Sequence, residues 1–133
     1  MITINIERAD EIRKMLCSCN GTCDMSGYFE NLQKYGRELK VNEVYKDLEQ
    51  FSNALSSKER LIILNSLREK DRCVCELEAI LDKAQSTISH HLRKLERVNL
   101  IRSWKKGNYT YYGLEKENLN SYLKVLNKEL NST

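Results

Sequence analysis

The chain has no proline, and only five of its 133 residues are glycine. Proline breaks helices and glycine loosens loops, so their scarcity excludes a loop-rich chain and favours a mostly helical one. No apolar run approaches the length that spans a bilayer. Ile2, Ile4 and Ile6 alternate with polar residues and lead into Glu7, Arg8, Asp10, Glu11, Arg13 and Lys14, unlike a secretory leader. The expected compartment is the cytoplasm, where the five cysteines stay as thiols rather than disulfides. The length suits one core.

Charge is unevenly spread. Residues 58–112 carry twelve Lys or Arg against seven Asp or Glu, whereas residues 1–57 carry seven against nine. Between 83 and 112 seven basic residues face a single acid, Glu96. Such a stretch is either a solvated face or a phosphate-binding surface. Helical geometry favours the second.

Apolar spacing predicts short helices over Ile6–Leu16 and Tyr28–Leu39, with a turn-rich, thiol-rich knot at Cys17–Cys23. A helical stripe runs from Val41 to Leu55. Ser56 or Ser57 can cap a helix over Lys58–Arg68, with Leu61, Ile62, Leu64 and Leu67 inward. A short helix, Glu76–Leu81, and a longer one, Gln85–Val98, follow. Strands at Ile101–Lys105 and Tyr109–Gly113 join at Lys106-Gly107-Asn108, and a final helix covers Glu117–Leu130. The expected fold class is mostly α with a small β-hairpin (α+β), laid out as a winged helix-turn-helix. Residues 1–40 form a cysteine-bearing N-terminal arm, and residues 41–133 the DNA-binding and dimerisation domain. The flanking stripes, 41–55 and 117–130, need a partner: a two-fold homodimer is the usual solution, and packing of both within the monomer is the alternative.

On a helical wheel Ile88, Leu92 and Leu95 share one side of the Gln85–Val98 helix. Ser86, His90, Arg93 and Arg97 point away, with Ser89 and Lys94 flanking them. Hydroxyls and an imidazole near the start, with cations farther along, suit a helix in the major groove. The expected DNA contacts are Gln85, Ser86, Thr87, Ser89, His90, Arg93 and Lys94, joined by Lys105, Lys106 and Asn108 at the basic hairpin tip. His91 falls beside the apolar side, as a half-buried packing residue. Trp104 and Tyr111 are expected to pack against the domain rather than on bases.

The cysteines cluster as Cys17, Cys19, Cys23 and Cys73, Cys75. Cys-Val-Cys is either a pair of small core residues or a soft-metal site. The two thiols converge if Cys73 sits at or before the first turn of its helix, where thiolates are favoured. The N-terminal thiols can supply further ligands. A thiolate set selects cadmium, lead, zinc, mercury or trivalent arsenic (arsenite).

Together these segments resemble the ArsR/SmtB family of metal-sensing winged-helix repressors. Ala54–Leu64 is similar to the family's opening helices, Cys73-Val74-Cys75-Glu76-Leu77 to its metal box, Gln85–Leu95 to its recognition helix and Ile101–Leu114 to its wing. The resemblance implies a homodimer on an inverted-repeat operator of double-stranded DNA, released when metal binds. The arsenite-type pattern places a third cysteine soon after the pair; here stand Glu76, Leu77, Glu78 and Ala79. The site is instead similar to the cadmium/lead type, in which N-terminal thiolates join the pair. Cys19 and Cys23 suit that role, with Cys17 a spare or alternative ligand. The family's zinc site on the last helix is expected to be missing, because residues 114–133 hold no His and no Asp. Ala84 stands where the family tends to cap the recognition helix with Ser.

No membrane and no small organic substrate are expected as partners. A thiol enzyme would need an acid–base partner and a pocket, and the sequence offers neither. Two alternatives keep the DNA argument: a thiol-redox repressor, and a DNA-binding domain with a purely structural zinc.

Overall fold

A computed structural model describes residues 5–20 and 27–131. The chain divides into two compact units, Met1–Tyr45 and Lys46–Thr133. In the first, helix α1 (Ile6–Asn20) pairs with α2 (Tyr28–Lys40). Arg13 joins them. It donates to Glu30 at 2.7 Å and to Asp10 at 3.0 Å, and its guanidinium lies 4.6 Å from the ring centre of the buried Phe29. The helix α1 continues through Cys17, Ser18 and Cys19, where a turn-rich knot was expected. No proline or glycine interrupts the sequence before Gly21, so the helix propagates.

The second unit begins within α3 (Glu43–Leu55). It continues through α4 (Lys58–Glu69), strand β1 (Arg72–Cys73), α5 (Val74–Leu81), α6 (Gln85–Arg97), β2 (Ile101–Lys106), β3 (Tyr109–Leu114) and α7 (Lys116–Leu130). This is the expected winged helix-turn-helix, mostly helical with a small antiparallel sheet. Phe51, Ile63, Leu67, Leu77, Ile88, Leu92, Leu95 and Leu100 are nearly inaccessible and form one core. Phe51 stacks on Tyr122 with ring centres 4.6 Å apart, so α3 and α7 close together over it. None of the described helices is long and apolar enough to cross a membrane.

The Ser57 hydroxyl accepts from the Arg60 N–H and caps α4. The inward residues of α4 correct the expected set. Arg60, Ile63, Leu64 and Leu67 are buried, whereas Leu61 and Ile62 are exposed. The 3.6-residue period puts 60, 63, 64 and 67 on one side and leaves 61 and 62 outside. Asp82 ends α5 in the left-handed region, at φ 52°, and its N–H returns to the Glu78 carbonyl. That conformation turns the chain sharply into α6.

The sheet has the order β1-β3-β2, and β1 lies outside the hairpin that the sequence implied. Arg72 pairs with Tyr112, and Cys73 with Tyr111. Across the hairpin Trp104 pairs with Tyr111, and Arg102 with Gly113. The turn is made by Gly107, at φ 64°. Ile101 and Leu114 are directly opposed and reach the core. The other face carries Arg102, Trp104, Lys106, Tyr109, Tyr111 and Gly113, because opposed residues share a face and the pleat alternates. Gly113 is a seat for the indole. A Cβ there would lie 3.1 Å from Trp104 ring atoms and 2.8 Å from the Asp71 carboxylate. We predict that Gly113→Ala destabilises the fold by about 1–3 kcal/mol through overpacking, read by urea unfolding.

Candidate functional site

Three features of the second unit carry the chemistry: one exposed helix face, a basic wing and a thiol pair. The helix α6 buries Ile88, Leu92 and Leu95, as its periodicity implied. Gln85, Ser86, Thr87, His90, Arg93 and Arg97 are exposed, and Ser89 and Lys94 are half-buried. Lys105, Lys106 and Asn108 are exposed around the hairpin turn. Ala84 stands at the N-cap of α6 with no side-chain hydrogen bond.

The orientation of α6 rests on a residue that the sequence reading passed over. Arg60 is buried, at 5% exposure, and makes three contacts. Its Nε donates to the Ala54 carbonyl at 2.6 Å, and its Nη2 donates to that of Asn53 at 3.3 Å. Its Nη1 donates to His91 Nδ1 at 3.0 Å. Arginine has no acceptor, so His91 must accept at Nδ1 and carry its own proton on Nε2. One guanidinium thus ties carbonyls in the last turn of α3 to α6. The signal was present: Arg60 falls on the same side of its helix as Leu64 and Leu67. Burial, followed by the Arg60 charge, pushes the His91 pKa down from its ordinary value. Glu59 acts in the opposite sense, while His90 and Lys94 lower the value further.

Cys73 is both the end of β1 and the N-cap of α5. Extended backbone at Cys73 (φ −83°, ψ 164°) brings its side chain beside Cys75, two residues on in the first turn. The Cys73 thiol lies near enough to Cys75 to act on its titration. Cys73 is buried, and Cys75 is exposed. The neighbouring Cys73 thiol, with some loss of water, raises the Cys75 thiol pKa. This corrects the expectation of an acidified thiol there, because a second sulfur nearby opposes a second negative charge. Glu76 is occupied with capping: its carboxylate accepts from the Cys73 N–H at 3.1 Å and from Arg72 at 3.4 Å. Arg72 also donates to the Ser66 carbonyl at 3.2 Å, anchoring β1.

Two adjacent sulfurs suit a soft ion but fill only half of a tetrahedral shell. Among the described residues no three His, Cys, Asp or Glu side chains gather where they could hold a metal ion. Of the expected N-terminal ligands, Cys19 is a free, exposed thiol, whose Sγ donates to the Leu16 carbonyl at 3.6 Å. Cys17 is disulfide-bonded, which corrects the expectation of five free thiols. Cys17 would need reduction before it could bind an ion. Cys23 lies outside the described residues.

Comparison with known proteins points one way. The family model described as bacterial regulatory protein, arsR family, matches residues 57–103. The arsenical resistance operon repressor of Bacillus subtilis (strain 168) is 37% identical over 83 residues, covering 62% of this chain and 79% of the relative. The cadmium resistance transcriptional regulatory protein CadC of Listeria innocua serovar 6a is 28% identical over 109 residues, covering 81% of this chain and 87% of the relative. Among solved structures, an ArsR-like transcriptional regulator from Rhodococcus sp. RHA1 superposes with a TM-score of 0.58 at 28% identity, covering 63% of this chain and 79% of the other.

The Arg60–His91 contact has a definite pH signature. The folded-state pKa of His91 is lowered, so as pH falls the unfolded chain takes up a proton first. The stability from this contact is complete above about pH 6.5 and is lost as pH falls through the lower folded value. Arg60→Met is expected to cost about 1–3 kcal/mol, because it leaves buried acceptors unpaired. It should also return His91 toward its ordinary pKa. Urea unfolding across pH and NMR titration of His91 check both.

Proposed function

From the premise that this chain belongs to the arsR family of bacterial regulatory proteins, we propose that it is a cytoplasmic repressor whose grip on DNA is controlled by a soft metal ion. The family makes it a transcriptional regulator and not an enzyme. In the proposed reading a homodimer sits on an inverted repeat. Gln85, Ser86, Thr87, Ser89 and His90 face base edges, and Arg93 and Lys94 hold phosphates. The wing tip (Lys105, Lys106, Asn108) tracks the adjacent minor groove or its phosphates. The helix α7 leaves Leu123 and Leu130 exposed, which supports a second copy as the cover.

The observation that carries the metal reading is the placing of Cys73 at the N-cap and Cys75 in the first turn of the helix that precedes α6. Together with thiolates of the N-terminal arm (Cys19, Cys23 and, once reduced, Cys17), it forms the proposed site for cadmium, lead, zinc or arsenite. The curated relatives named for cadmium and for arsenical resistance fit this choice of ions. When bound, such an ion supplies a cross-link between thiolates. The chain's own part is to pass the resulting shift of α5 to α6 through the tight turn at Asp82–Lys83. A change in the spacing of two recognition helices then spoils their fit to two half-sites.

A second reading is favoured by the disulfide at Cys17. Oxidation of the thiols, rather than metal, would then be the signal.

An operator-fragment titration at fixed salt under reductant separates the two. The metal reading expects one soft ion to weaken DNA binding by about 5- to 150-fold. Cys73→Ser or Cys75→Ser should abolish the effect and leave ion-free binding intact. Indifference to every ion, with binding that changes only on oxidation, would transfer the case to the redox reading.

A further inference from the structure

We propose that Tyr111 and Trp104 are positioning residues that transmit the state of the Cys73 thiol to the basic side chains of the wing. The inference deepens the metal reading above and rests on it. It adds a second route to the helix-to-helix turn, one that runs through the sheet.

The register carries it. Tyr111 is the direct partner of Cys73 on one side and of Trp104 on the other. Directly opposed residues in antiparallel strands project on the same face with Cβ atoms about 4.5–5.5 Å apart. Cys73, Tyr111 and Trp104 therefore form one row across three strands. Cys73 is only 7% exposed on that outer face, so neighbouring side chains must cover it. The row continues as stacked rings: Tyr111 and Trp104 have centres 6.3 Å apart and planes 18° apart. A cation lies near each ring. Lys106 Nζ is 5.8 Å from the centre of Tyr111, and the Arg102 guanidinium is 5.3 Å from that of Trp104. Arg102 is fixed further by Glu115 at 2.9 Å.

The row has little slack. Gly113 lies close against the indole, where an added Cβ would come within 3.1 Å of the ring. About χ1, aromatic side chains move between staggered wells. A Cys73 sulfur drawn toward an ion changes what lies against the Tyr111 ring. The stacked Trp104 and the cation over each ring must then re-seat. Lys106 is one of the side chains offered to phosphate, so its position enters DNA affinity directly. On the opposite face, Arg72, Tyr112 and Ser103 form the matching row, which carries no second thiol.

Trp104 is the only tryptophan, so its emission reports on the row without any label. The test uses the full chain under reductant and cadmium chloride as the probe. It reads thiolate-to-metal absorption, Trp104 emission and operator anisotropy at fixed salt. In the natural sequence cadmium should change Trp104 emission in step with the thiolate absorption. Tyr111→Phe keeps the ring and should keep both the emission change and the release of DNA. Tyr111→Ala should still bind cadmium with unchanged stoichiometry and still bind operator without it, yet release of DNA should shrink to less than about threefold, below the usual coupling range. An Ala variant that binds cadmium and releases operator by the full factor overturns the inference alone. So does cadmium-driven release in the natural sequence with no change in Trp104 emission, a result that needs no variant. Absence of thiolate absorption in the natural sequence overturns the metal reading and this inference together.

Discussion

Two residues of strand, Arg72 and Cys73, hold the arrangement together. Their pairing with Tyr112 and Tyr111 fixes Cys73 in extended backbone. That same conformation makes Cys73 the cap of α5 and brings its thiol beside Cys75. Arg72 secures the strand by binding the Ser66 carbonyl and the carboxylates of Glu69 and Glu76. A regular helix through 73–75 would turn the two sulfurs away from each other, because residues two apart do not face one another on a helix. The pair exists because the helix starts one residue later than Cys73.

The second polar device is the buried Arg60. An arginine in a core is costly unless its donors are used. Here each of the three guanidinium nitrogens has a partner, on Asn53, Ala54 and His91. Apolar packing of Ile88, Leu92 and Leu95 sets the side of α6 that faces inward. The Arg60–His91 contact adds a direction, because a hydrogen bond fixes an angle that van der Waals packing leaves loose. Recognition of DNA by a helix depends on that angle. Both devices, the short strand and the buried arginine, therefore act on the elements that would touch nucleic acid.

Periodicity and turn chemistry were enough to read α6, the hairpin and, apart from β1, the order of elements from Lys58 onward. Those signals are local: an apolar stripe, a Ser cap at Ser57, a glycine at Gly107. The strand β1 was not legible, because two residues carry no period and their pairing partner lies almost forty positions away. In α4, an apolar count favoured Leu61 and Ile62 over the charged Arg60. Burial followed geometry instead, and Arg60 went inward with its hydrogen bonds satisfied. The extension of α1 through Cys19 was hidden by small polar residues that favour turns as readily as helix. The thiol cluster at Cys73–Cys75 was visible as a motif, but the raised pKa of Cys75 depends on which way the two sulfurs point.

Taken together, the sequence, the fold and the relatives describe a regulator in which a thiol pair and a DNA-reading helix share one short stretch of chain. The central claim is that they are thermodynamically coupled. Linkage makes such a coupling reciprocal: whatever factor an ion removes from DNA affinity, DNA must remove from ion affinity. The most direct measurement is the cadmium affinity of the protein free and saturated with operator, by competition with a chelator of known strength. Cadmium is expected to bind more weakly on the operator, by the same factor as the cadmium-induced loss of operator affinity. Equal cadmium affinity on and off DNA would contradict it.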